Sequence, residues 1–462
     1  MVNNMKMDDT IAAIATTLGE SAISMIRVSG DKAIENISEI FEGKVDLRNV
    51  KTHTAHFGRI ADENGNTLDD VVCIVYRKPR SFTGEDVIEI CCHGGIHVTK
   101  RVFERIIETG IRPAQPGEFT KRAFINGKID LTQAEAIADL IKAESDRAYI
   151  TSVRQLEGKL SKDINKIREK MIDIIGLLEL ELDFVEEDIQ LIDKRKVNDM
   201  IFETLREVES ILKTYKFGKL WKEGLKVAIV GKPNAGKSSL LNTLLQEERA
   251  IVTEIPGTTR DFIEEKIIVD GIIFRLIDTA GIRETNDPIE SEGVRRTWKI
   301  ASESDIVLFV HDCTVPVSDE EIGFLKKLDE LNTKAEIIFL NNKIDLENSH
   351  DETFKTGYES IGLSATKRIG IDELIGKMKQ FAVTGDIGEG SSVIITSERH
   401  YSALLKAKDG LIKSLESVKH GESNEFIVVN LKYALDALGE IVGKVTTEEM
   451  LNNIFSKFCI GK

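Results

Sequence analysis

The chain has no apolar run approaching the roughly 18 residues that a membrane span requires, which excludes anchoring by its own helices. It also lacks a basic, apolar leader. The opening "MVNNMKMDDTIAAIATTLGE" places two acids directly before its only apolar stretch, unlike a secretory signal, so the cytoplasm is the expected compartment. Cysteine is sparse: the five residues Cys73, Cys91, Cys92, Cys313 and Cys459 are odd in number and contain no CxxC pair, as expected of reducing surroundings. Positive charge is in deficit. With 62 Lys and Arg against 78 Asp and Glu the net charge is −16, which excludes a surface that grips nucleic acid throughout and confines any RNA contact to a local patch. Fixed-period repeats and low-complexity tracts are missing, so repeat architectures are set aside.

What is present is ordinary globular composition, 41% hydrophobic and 30% charged, over 462 residues, more than one hydrophobic core serves. Alternating runs such as "VVCIVYR" and "DVIEICC", with the helical "HVTKRVFERIIET", predict a small α+β domain over 1–120. Over 121–222 the apolar residues Leu156, Leu160, Ile164, Ile167, Met171, Ile174 and Leu178 recur at helical spacing and predict long helices. From Leu225 short β-branched strands alternate with helices, predicting a doubly wound α/β domain over 223–382. The Gly- and Ser-rich "TGDIGEGSS" then reads as a connector, and 383–462 is helical again, so the α/β domain is inserted into a helical one.

Inside the inserted domain "GKPNAGKS" is a phosphate loop, with Gly231, Asn234, Ala235, Gly236, Lys237, Ser238 and then Ser239. Its glycines let backbone N–H groups face phosphates, Lys237 reaches the outer phosphates, and the Ser238 hydroxyl suits Mg²⁺. "DTAG" (Asp278, Thr279, Ala280, Gly281) ends a strand, where Asp278 can meet Mg²⁺ through water and Gly281 N–H can sense the γ-phosphate. "NKID" (Asn342, Lys343, Asp345) offers a carboxylate to the N1–H and 2-amino group of guanine, which adenine does not present, and "SAT" (Ser364, Ala365, Thr366) offers a backbone N–H to O6. In this order the four motifs resemble the GTPase superfamily, and GTP is the expected nucleotide. "GTTRD" falls at the first switch, with Thr259 as the Mg²⁺ ligand. After "DTAG" stands Ile282, which can neither donate nor accept, so the hydrolytic group must come from elsewhere; Glu284, Asp287, Glu290 and Glu292 are candidates.

Three flanking motifs, "FTGEDVIEI" with "HGG", "RPAQPGEFTKRAFINGKIDLTQAEAIADLI" and the terminal "FCIGK", make the whole chain resemble the bacterial and organellar tRNA-modification GTPases called MnmE or TrmE. The resemblance implies a folate-binding N-terminal domain, an all-α helical domain and a Ras-like GTPase domain inserted in it. It implies that the chain acts with a flavin-dependent MnmG-type partner, as a heterotetramer or larger, to place a carboxymethylaminomethyl or aminomethyl group on C5 of the wobble uridine of certain tRNAs. FAD would enter only through that partner, and 5-formyl- or 5,10-methylene-tetrahydrofolate would be the folate. By motif, Arg27, Glu89, Lys128 and Lys462 would bind folate, Glu290 would serve hydrolysis, and Asn234, Thr253, Ile255 (through its carbonyl) and Thr258 would hold K⁺. Potassium would promote GTPase-domain pairing across a homodimer. The competing class is a ribosome-associated regulatory or assembly GTPase, which shares the nucleotide motifs but not the folate-type domain.

Other constellations carry less. Cys91 and Cys92 of "CCHGGIH" are adjacent on a strand and face opposite ways, so they do not readily share one ion. The run "KDINKIREK" reads as a solvated helix face. The ending is no prenylation box, because Gly461 is not aliphatic and Lys462 is charged. Cys459 is then either the modification thiol that the resemblance implies or a residue packed beside Phe455 and Phe458.

Overall fold

A computed structural model describes residues 9–183, 193–247, 264–278, 290–330, 335–346, 357–383 and 394–461. Its described residues fall into two compact units, one from 1–142, 152–212 and 398–462, the other from 143–151 and 213–397.

The first unit begins with a seven-stranded sheet of β1 (Ile11–Ile14), β2 (Ile23–Ser29), β3 (Phe41–Gly43), β4 (Thr54–Ala61), β5 (Thr67–Tyr76), β6 (Val87–His93) and β7 (Arg112–Pro113) in the order β3-β4-β5-β6-β2-β1-β7. Every pairing is antiparallel except β1 with β7. Side chains alternate across such strands. Ile88, Ile90 and Cys92 of β6 and Ile26 and Val28 of β2 therefore enter one core, where they meet Ile34 and Ile37 of the helix Ala33–Ile40 and Val102 and Ile106 of the helix Ile96–Glu108. Arg27, Glu89 and Cys91 are thrown onto the other face.

Long helices complete this unit. In Lys159–Asp183 the predicted stripe is realised from Leu160 on, with Leu160, Ile164, Ile167, Met171, Ile174 and Leu178 buried, whereas Leu156 closes the preceding helix Asp146–Leu156 and is half-buried. In the basic run of this helix Lys162, Lys166 and Glu169 are exposed as expected, and one residue departs from expectation. Arg168 is buried and donates from Nη1 to the Leu435 carbonyl at 2.5 Å, because its position four after Ile164 turns it inward toward the helix Asn424–Val442. Glu135 accepts from Arg399 Nε at 2.9 Å and Nη2 at 2.8 Å, and lies 2.7 Å from His400 Nε2. Burial alone would raise the Glu135 carboxyl, but the charges of His400 and Arg399 hold it far below the usual range.

The second unit contains a six-stranded sheet of β8 (Leu225–Val230), β9 (Glu264–Val269), β10 (Ile272–Asp278), β11 (Ile306–Asp312), β12 (Glu336–Asn342) and β13 (Ser360–Leu363), ordered β13-β12-β11-β8-β10-β9. Only edge strand β9 runs antiparallel to its neighbour. The central strands are apolar almost throughout because helices cover both faces. Val227 and Ile229 join one core, while Ala228 and Val230 join the other. The architecture is thus an N-terminal α+β sheet domain, helices, and an α/β P-loop domain within them. No helix among the described residues is long and apolar enough to cross a membrane.

Glu135→Ala would leave Arg399 and His400 without their anion. We expect it to destabilise the first unit by about 3 kcal/mol, read as a lowered urea midpoint by far-UV circular dichroism; an unmoved midpoint contradicts the role given to this cluster.

Candidate functional site

The phosphate loop joins β8 to the helix Lys237–Glu247, so the strand end and the helix N-terminus bring backbone N–H groups to one place. Its sequence follows its geometry. Gly236 has a φ of +99°, and a Cβ there would lie 2.1 Å from Asn342 Nδ2. Asn234 also sits in the left-handed region, at φ +62°, and is exposed. Lys237 Nζ donates to the carbonyls of Gly231 at 2.8 Å and Lys232 at 2.7 Å, which folds it back over the loop. Ser238 Oγ donates to Asp278 Oδ2 at 3.3 Å, so the hydroxyl and the carboxylate singled out for Mg²⁺ meet where the first turn of the helix faces the end of β10. Oxygen donors of this kind fit that ion.

The guanine motifs converge on the same loop. Asn342, buried at the end of β12, donates from Nδ2 to the Ala235 carbonyl at 2.8 Å and accepts from Ala365 N at 3.1 Å. Thr243 Oγ1 donates to the Ala365 carbonyl at 2.8 Å, and Ser364 pairs with Ile369 through both backbone groups. Ala365 N–H is therefore already engaged, and a base oxygen approaching it must share it with Asn342. Ser239 lies exposed on the first turn of the helix, Asp345 is exposed beyond β12, and Lys343 pairs with Asp312. Thr253, Ile255, Thr258, Thr259, Thr279, Ala280, Gly281, Ile282, Glu284, Asp287 and Lys462 lie outside the described residues. Glu290 opens the helix Glu290–Glu303, and its side chain and that of Glu292 lie outside them as well.

Sequence reasoning missed a support beneath this loop. Glu321 accepts from His311 Nδ1 at 2.9 Å and from Ser318 N and Oγ at 2.9 and 2.8 Å, while the loop's Lys232 donates to Ser318 Oγ at 2.7 Å. The signal was the Ser-x-x-Glu capping pattern at Ser318. Burial would raise the Glu321 carboxyl, but these donors bring it down to about 2.

A second site lies on the outer face of the N-terminal sheet. Arg27 and Glu89 are register partners on β2 and β6, and Arg27 donates to Glu89 Oε1 from Nε at 2.9 Å and Nη2 at 2.7 Å. Tyr76 OH donates to Oε2 at 3.2 Å, and the Arg27 guanidinium stands 5.8 Å from the ring centres of Phe82 and Phe119. The C-terminal tail reaches this face: Arg27 Nη1 donates to the Gly461 carbonyl at 3.2 Å. Gly461 has a φ of +95°, and a Cβ on it would lie 2.7 Å from the Ile14 carbonyl, so only glycine packs there. Phe455 and Phe458 are buried with Phe124 and Leu131, whereas Cys459 is exposed, its carbonyl 3.5 Å from Gly117 N. The packed alternative for Cys459 is thus overturned, because the two phenylalanines turn inward and the cysteine between Phe458 and Ile460 turns out. Lys128 donates to the Pro79 carbonyl at 3.0 Å. Tyr76, Phe82 and Phe119 escaped sequence reasoning; the strand alternation that places Tyr76 beside Glu89 was the available signal for the first.

The family pattern described as the MnmE helical domain matches residues 131–459, and that of the GTP-binding protein TrmE N-terminus matches 10–128. The chain is 45% identical to the tRNA modification GTPase MnmE of Chlorobium phaeobacteroides, covering 98% of this chain and 97% of the relative. It is 44% identical to that of Aquifex aeolicus, covering 99% and 100%. Among solved structures, the G domain of the T. maritima FeoB iron transporter is 28% identical over 34% of this chain and 98% of its own, with a TM-score of 0.28.

Folded Glu321 titrates at about 2 against an ordinary 4.5, so its stabilisation is complete above pH 4.5 and is lost as pH falls toward 2. The lead in melting temperature of the native chain over Glu321→Gln should therefore shrink between about pH 5 and pH 3; a lead independent of pH would contradict this.

Proposed function

The chain belongs to the MnmE family of tRNA modification GTPases, and from that membership we propose that GTP hydrolysis drives, with a flavin-dependent MnmG-type partner, placement of an aminomethyl or carboxymethylaminomethyl group on C5 of wobble uridine in certain tRNAs. The protein works as a cytoplasmic homodimer in this reading. The observation that supports it most is that one chain carries both a phosphate loop tied to guanine-type motifs and, on a separate sheet face, an arginine–carboxylate pair met by a tail 434 residues on in sequence.

Asp345 accepts from the guanine edge, the phosphate-loop N–H groups and Lys237 hold the phosphates, and Glu290 orients the attacking water in place of the missing glutamine. Ser238 and Thr259 would hold Mg²⁺, and Asn234, Thr253, Thr258 and the Ile255 carbonyl would hold K⁺; bound together, these cations neutralise charge that develops on the phosphates. The sheet-face site suits a folate, since Glu89 can accept paired hydrogen bonds from an aminopyrimidine, Phe82 and Phe119 offer apolar walls, and Lys128 and Lys462 attract the carboxylate tail. A reduced folate bound there supplies the one-carbon unit. The exposed Cys459, two residues from the Gly461 contact with Arg27, is the thiol that serves the tRNA chemistry.

Asp345→Asn should shift hydrolysis from GTP toward xanthosine triphosphate by at least about ten-fold in relative kcat/KM, since an amide pairs with the xanthine edge; an unchanged preference for GTP refutes the guanine assignment. Cys459→Ser should leave GTP hydrolysis intact while 5-substituted wobble uridine disappears from bulk tRNA by nucleoside mass spectrometry. Full modification in that variant would remove Cys459 from the chemistry.

A further inference from the structure

Strand β11 lies between the phosphate-loop strand β8 and the guanine-motif strand β12, and its last residue, Asp312, is the register partner of Asn342. The two carboxylate oxygens of Asp312 are divided. Oδ1 accepts from Thr314 N at 3.1 Å and Thr314 Oγ1 at 2.7 Å, while Oδ2 accepts from Lys343 Nζ. Burial would raise this carboxyl, but the hydrogen bonds from Lys343 and Thr314 hold it below the usual carboxylate range.

Lys343 has a φ of +72°, a region that a residue with a Cβ enters at a cost. Its ammonium meets Asp312, whereas Asp345, two residues on, is exposed. An ammonium on a flexible four-carbon stem that lacked this anchor would be within reach of Asp345. A carboxylate so engaged must give up the ion pair before it can accept from a base, and that competition weakens selection as well as affinity.

We propose that Asp312 is a positioning residue for guanine selection: by holding Lys343 it keeps the Asp345 carboxylate available to the N1–H and 2-amino groups of the base. The proposal rests on the reading of Asp345 given above.

The test is steady-state hydrolysis of GTP and of inosine triphosphate, which lacks the 2-amino group, by the full-length Asp312→Asn protein. KM for GTP should rise about five-fold with kcat within about two-fold, the size expected for a partly exposed ion pair, and the preference for GTP over inosine triphosphate should fall by a similar factor. In a Lys343→Met background the same substitution should add nothing, because no ammonium remains to be released. Unchanged KM and preference, or an equal loss in that background, overturns the proposal. Should Asp312→Asn fail to fold, Asp312→Glu keeps the charge and should retain the preference; its loss would overturn the proposal equally. Asp345→Asn measured alongside separates the two levels: retained GTP preference there sinks the guanine reading itself, whereas a switch there with no effect at Asp312 sinks only this inference.

Discussion

The Asn342 carboxamide is the constraint on which the nucleotide site depends. It is buried where β12 ends, and its two polar groups leave no freedom: one donates to the phosphate loop at Ala235, the other accepts from Ala365. A buried amide with either partner missing would carry an unpaid desolvation cost, so the two loops are held at a fixed separation by satisfaction of one side chain. The close approach of Gly236 to that same amide explains why the loop tolerates no side chain there.

Charge is used in the same manner throughout. Among the described residues few buried ions lack a partner close by. Arg122, 1% exposed, contacts Asp9, Glu85 and Glu118, which ties together three separate stretches of the N-terminal domain. Glu135 joins Arg399 and His400 across the break that the inserted domain makes in the helical sequence. Pairs of this kind contribute little net energy over apolar packing, but a mispaired arrangement costs much, so they specify which segments meet. The Arg27–Glu89 pair differs because it is set on the outer sheet face, largely covered by aromatic rings and a chain tail.

Periodicity and motif spacing were legible because they report local rules. The alternation of β6 placed Cys91 and Cys92 on opposite faces, the three-and-four spacing marked the long helix from Lys159, and the phosphate loop fell between a strand and a helix as its glycines require. Arg168 was misread for the same reason. Lys166, Glu169 and Lys170 around it are charged, and only the helix packed against it shows that its guanidinium finds a carbonyl rather than water.

The sequence by itself determined the order of domains, the nucleotide motifs and the chemical types assembled for each site, since these follow from short-range patterns of polarity, glycine and charge. Tertiary structure alone decided the partnerships. That Lys343 answers to Asp312, that Lys232 of the phosphate loop reaches Ser318, and that Gly461 reaches Arg27 are contacts between residues far apart in the chain. Such contacts depend on sheet order and chain path, which no local pattern encodes.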